Sequence, residues 1–163
     1  MFILGLDLGT RVSEIAGLRW DTINWANQFI TVWDEKKDLW RTCTVSPDSW
    51  ELLKKRRDAT DKRGEKLVFP YSHKTFNRRI KEWAKKAGVE RTKPGQHASA
   101  IRWHFLRHTH VVQARRAGRD WNEIAQQTGD TLATLVTTYG NLSLEDRIES
   151  TNEKPLIQPT PPS

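Results

Sequence analysis

Between Phe29 and Val45 the chain abandons helical spacing. Two β-branched and aromatic runs, FITVW (29–33) and RTCTV (41–45), flank the polar stretch DEKKDLW. This is the pattern of an antiparallel hairpin with a loop longer than a tight two-residue turn. Nearly everything around that interruption is spaced for helices. The predicted class is therefore mainly α with one small antiparallel β-sheet, an α+β arrangement.

RVSEIAGLRW (11–20) predicts a helix with Val12, Ile15, Ala16 and Leu18 facing inward, followed by a turn-rich connection from Asp21 to Asn27. Ser46-Pro47-Asp48 starts a second helix that runs to Gly64, and KLVFP reads as a short extended piece. SHKTFNRRIKEWAKKAGV sets Phe76, Ile80, Trp83 and Ala84 on one face against lysines and arginines on the other. Residues 90–100 read as loop, and IRWHFLRHTHVVQARRAG as a helix ended by Gly118. Asp120 caps WNEIAQQTG, and DTLATLVTTYG makes another short helix. From about Ser150 the sequence turns polar and proline-rich, a disordered or partner-seeking tail. Trp25, Trp33, Trp50 and Trp83 fall in apolar-patterned segments and are predicted to pack in the core.

A length of 163 residues suits one domain with a real core. MFILGLDLGT begins inside an apolar helix-like pattern with no run-in, which suggests a piece of a longer chain, and it lacks the basic flank of a secretory signal. The formal charge of +7 and pI of about 9.8 favour a polyanionic partner, nucleic acid before acidic membrane. Cys43 stands alone, which excludes an internal disulfide or a thiolate-rich metal site and points to a reducing, cytoplasmic compartment. No apolar run approaches the roughly 20 residues of a membrane span.

His104 and Arg107, three residues apart, share a helix face. An imidazole there can donate a hydrogen bond or carry a proton, and a guanidinium matches two phosphate oxygens. A cationic helix surface produces the same pair, so the rest of the chain has to decide. GTRVSEIAGLRWDTI, around Arg11, resembles the first arginine box of the tyrosine recombinases (phage integrases), and HFLRHTH resembles their second box. In that family a nucleophilic tyrosine follows an L-G-H segment by nine residues; here Tyr139 stands nine residues after Asp130 of TGD. The family also carries a lysine in the turn of its sheet. The K-x-x-x-x-R pattern ending at Arg41 points to Lys36, with Lys37 as its neighbour and rival. The resemblance spans about residues 4 to 143.

The resemblance implies the recombinase catalytic-core fold over residues 1–149, without the family's amino-terminal DNA-binding domain, and a tail at 150–163 able to dock on a neighbouring protomer. It implies site-specific DNA cleavage and rejoining through a 3′-phosphotyrosyl intermediate, on double-stranded DNA, as a homotetramer, with no metal, cofactor or small-molecule substrate. Arg11 and Arg107 would neutralise phosphate oxygens as the fifth bond forms. Tyr139 must lose its proton as it attacks, because a phenol of pKa near 10 is only about 0.1% ionised at pH 7. His104 would be the base or an oxygen donor, and Lys36 would protonate the leaving 5′ oxygen. His108 and His110 are expected to pack or hydrogen-bond along their helix, while His73 and His97 fall in loop-like sequence without metal-ligand spacing.

Asp130 departs from the pattern, since the family has His or Trp there and an ionised carboxylate only accepts hydrogen bonds. It caps the helix that follows, or is held protonated, or marks reduced activity; capping is the expectation. A DNA-binding module without turnover is the alternative function. A basic protein for RNA or membrane surfaces leaves the ordered boxes without a reason.

Overall fold

The predicted hairpin is the larger part of a three-stranded antiparallel sheet, in a computed structural model that describes residues 1–60, 64–88 and 101–140. Its strands are β1 (Ile23–Asn24), β2 (Phe29–Asp34) and β3 (Leu39–Cys43), ordered β1-β2-β3. The hairpin turn is longer than a two-residue one, as expected, although the strands run further into the polar stretch than predicted. Asp34 pairs with Leu39 and Trp33 with Trp40, which leaves only Glu35–Asp38 to reverse the chain. The two indoles lie 5.1 Å apart on the outer face, a cross-strand aromatic contact that holds the ladder to its end. Strand β1 falls in the stretch predicted as turn, where Ile23 pairs with Ile30.

Strand alternation decides what faces inward. Ile30, Val32 and Asp34 are buried on one strand, Arg41 and Cys43 on the other. The period that buries Ile30, Val32 and Cys43 thus also carries a carboxylate and a guanidinium beneath the sheet.

Seven α-helices surround it among the described residues: α1 (Phe2–Leu8), α2 (Val12–Ala16), α3 (Pro47–Thr60), α4 (His73–Lys86), α5 (His104–Arg116), α6 (Trp121–Thr128) and α7 (Leu132–Tyr139). Helix α2 is half as long as its apolar spacing predicts. Past Gly17 the chain extends and pairs with KLV, where Val68 N–H donates to Leu18 O at 2.8 Å and Trp20 N–H to Lys66 O at 3.1 Å. Backbone pairing there satisfies the same donors a longer helix would have satisfied. Asp120 caps α6 as expected, accepting from Asn122 and Glu123.

The main core joins α1, α2, the sheet, α3 and α4, with Leu8, Ile15, Ile30, Phe76 and Trp103 at its centre. Gly5 lets α1 settle against Trp103, whose ring atoms would lie 2.1 Å from any Cβ at that position. The Trp103 Nε1–H donates to Thr10 O at 3.0 Å, so the buried indole leaves no orphan donor. A smaller cluster, Val111, Ala114, Ile124 and Leu135, fastens α6 and α7 to α5.

The tryptophan expectation holds for Trp50 and fails for two others. Trp33 and Trp83 are 38% and 48% exposed, since one sits on the outer sheet face and the other lies over Phe2 at the protein surface. The predicted loop at 90–100, with His97, and the tail at 150–163 lie outside the described residues. No helix among the described residues is long and apolar enough to cross a membrane.

Candidate active site

Arg11 immediately precedes α2, whose Glu14 turns inward with only 1% of its side chain exposed. A carboxylate so buried must be matched, and two arginines match it. Arg11 donates from its main-chain N–H at 2.7 Å and from Nη1 at 2.9 Å. Arg41, from β3, adds a bidentate pair at 2.8 Å on each oxygen. Asp34, equally buried, accepts from Arg11 Nη1 at 2.9 Å. Burial opposes charge on both Arg11 and Asp34, but their mutual hydrogen bond and neighbouring opposite charges prevail. Arg11 is held above its ordinary pKa and Asp34 below.

Arg107 reaches the same place from α5. It is 2% exposed and donates from Nη1 to Gly9 O at 2.9 Å, one of the carbonyls α1 leaves unpaired at its end. Its Nη2 lies 2.6 Å from Asp130 Oδ1, an ion pair without the alignment of a hydrogen bond. Arg11 Nη2 meets the same carboxylate oxygen at 3.4 Å. Two guanidiniums on separate helices thus converge on one oxygen.

Asp130 therefore does not cap α7, contrary to the expectation. Thr131 does, accepting from Thr134 N–H at 3.1 Å, and this frees Asp130 to turn toward the arginines. Gly129 makes the approach possible. Its φ of +76° suits glycine, and a Cβ there would lie 2.8 Å from Asp34 Oδ2. The end of α6 is bound to the sheet beside it: Gln127 accepts from Thr44 N–H at 3.0 Å and donates to Thr44 O at 2.8 Å.

Tyr139, at the last turn of α7, is half-buried and in hydrogen-bond contact with His108 Nδ1. Burial and the Asp130 charge push its phenol up, against a smaller opposing pull from Arg107. His104, one turn before His108 on α5, is exposed and meets it edge-on at 4.4 Å between ring centres. Burial of part of its ring, with His108 and Arg107 nearby, pushes His104 below its ordinary pKa. Lys36 and Lys37 both stand exposed in the hairpin turn. That turn is tied to Asp34, which accepts from Lys36 N–H at Oδ1, 3.1 Å away, and from Lys37 N–H at its carbonyl, also 3.1 Å.

Arg11, Arg107 and Asp130 come together as one cluster, and the charges of Asp130 and Arg107 reach both Tyr139 and His104. Asp34, Arg41 and His108 are the contributors that the sequence reasoning does not place in the site. Strand alternation was a usable signal for Asp34. The spacing of His108 four residues after His104 was a usable signal for the histidine contact.

The phage integrase family profile matches residues 1–145. Among solved structures, XerA recombinase superposes with a TM-score of 0.76 at 23% identity, over 92% of this chain and 55% of that one. The Tn1549 transposon integrase in complex with transposon right end DNA gives 0.71 at 14%, over 93% and 57%. A lambda integrase dimer bound to a core site gives 0.65 at 16%, over 88% and 52%. The chain spans about half the length of these solved proteins. No curated protein matches it. The family profile covers nearly the whole of the chain's described core, and the chain belongs to the phage integrase family.

Proposed function

We propose that this chain is the catalytic part of a site-specific DNA recombinase that cuts and reseals strands through a 3′-phosphotyrosyl link. The observation that carries the reading is the convergence of Arg11 and Arg107 on a single carboxylate oxygen. An anionic oxygen held there by two guanidiniums is the arrangement a phosphate oxygen requires in a five-coordinate transition state. Arg107 Nη2 is buried without a hydrogen bond, a donor whose natural partner is the substrate. Tyr139 is the nucleophile. Lys36 delivers the proton to the leaving 5′ oxygen, and its turn is kept in register with Arg11 through Asp34.

Asp130 occupies the place meant for phosphate and leaves it when DNA enters. Loss of one donor in sites of this type costs about 10²–10³ in rate, so Asp130→His, which restores a donor and removes the competitor, raises cleavage. The working partner is double-stranded DNA, a reading supported by the Tn1549 transposon integrase, which is solved in complex with transposon right end DNA. The active form is a tetramer on that DNA inside the host cell, with a catalytic domain at 1–149 and residues 150–163 docking on a neighbour.

The test uses a duplex that the protein itself enriches from a randomised pool, nicked near the cleavage position to trap product. A denaturing gel then reports covalent protein–DNA adduct. An adduct that disappears in Tyr139→Phe supports the enzyme. Binding with no adduct under any condition describes a non-catalytic module instead.

A further inference from the structure

We infer that His108 is the group that takes the proton of Tyr139 as the phenol attacks phosphorus, an assignment that rests on the recombinase reading. Among the described residues, His108 Nδ1 is the hydrogen-bond partner of the Tyr139 hydroxyl. The two rings stand 5.4 Å apart between centres, and both side chains are half-buried. His104, the histidine of the second box, meets His108 rather than Tyr139.

The proposed role uses one direction of that bond. Tyr139 is pushed above its ordinary pKa and keeps its proton at neutral pH, so its hydroxyl has a proton to donate. With the imidazole proton of His108 on Nε2, Nδ1 is the acceptor. An acceptor already bonded to the nucleophile's proton needs no movement to receive it. His104, depressed and neutral, adds no second positive charge to the imidazolium that forms.

The step balances without a further reactant. As the bond from Tyr139 Oη to phosphorus forms, the phenolic proton passes to His108 Nδ1. The bond from phosphorus to the 5′ oxygen breaks, and that oxygen leaves with its electron pair and takes a proton from Lys36. On rejoining, the 5′ hydroxyl attacks, its proton returns to the lysine, and His108 gives its proton back to the departing tyrosine oxygen.

Two duplexes separate this role from a purely structural one, both carrying the enriched sequence and nick. One has the natural 5′ oxygen and the other a bridging sulfur, a leaving group that departs without a proton. The expected result is that His108→Ala slows adduct formation by about 10²–10⁴-fold on both, and that added imidazole restores part of the rate. His108→Phe, which keeps a ring against Tyr139, is equally slow and is not restored. A Lys36→Ala control recovers on the sulfur duplex. The inference is overturned if His108→Ala cleaves within a few-fold of wild type. It is also overturned if His108→Ala recovers on the sulfur duplex, or if imidazole has no effect on a variant that melts like wild type. Wild-type protein that forms no adduct on either duplex sinks the recombinase reading itself, whereas wild-type adduct with an unimpaired His108→Ala sinks this inference alone.

Discussion

Glu14 and Asp34 on one side of the site, and Leu135 on the other, fix their surroundings by different means. The two carboxylates are 1% exposed and gripped by Arg11 and Arg41 at 2.7 to 2.9 Å, with the sheet above them. Helix α7 has Leu135 as its one buried residue, while Leu132 and Val136 are each 45% exposed. The charged side is over-determined and the tyrosine side is lightly held. Electrostatic stabilisation works best when its dipoles are set before the reaction. In the proposed mechanism Tyr139 must reach phosphorus and then yield to an incoming strand, which suits an element of low local stability.

Tyr139→Phe is the strongest break of that comparison. It abolishes adduct formation while the melting temperature stays that of wild type, because the ring and its packing remain. Glu14→Ala attacks the charged side. It leaves Arg11 and Arg41 without their buried partner and costs about 3–5 kcal/mol of folding stability, read by urea denaturation. Leu135→Ala costs about 2–5 kcal/mol, and hydrogen exchange localises the loosening to α7 and α6 with α2 unchanged. If α2 exchanges equally fast, the two sides are one cooperative unit and the contrast fails.

The smallest effect is an acid one. Asp34 has a folded pKa below its unfolded value, so its stabilisation is complete above the unperturbed carboxylate value of about 3.9 and fades as pH falls through the lower folded one. Asp34→Asn flattens the acid limb of melting temperature against pH, and an unchanged limb would remove Asp34 from the network.

The helices, the hairpin and both arginine boxes were legible because each rests on local spacing or on residues close in the chain. The electrostatics of the site were not. Arg41 served in the sequence only as a marker for Lys36, yet it is buried at 9% exposure and shares Glu14 with Arg11. Contacts between residues 14 and 41, or 107 and 130, depend on how helices pack and leave no periodic trace. Asp130 shows the same limit from a different direction. Aspartate before a helix reads as a cap, but Thr131 took the cap and tertiary charge took the aspartate. His108 was expected to pack or hydrogen-bond along its helix, and nothing in the chain places α7 beside α5, a contact made by Val111, Ala114 and Leu135.

The pairing of Arg11, Arg41 and Arg107 with Glu14, Asp34 and Asp130 has a consequence for ionic strength. Three cations and three anions cancel, so this cluster adds nothing to the chain's excess of +7, which comes from residues outside it. On the proposed recombinase reading, added electrolyte screens that excess and weakens capture of the duplex. The enclosed pairs are shielded from it. On the same reading, cutting by molecules already loaded on DNA is expected to proceed at nearly the same speed in dilute and concentrated buffer, while the fraction loaded collapses.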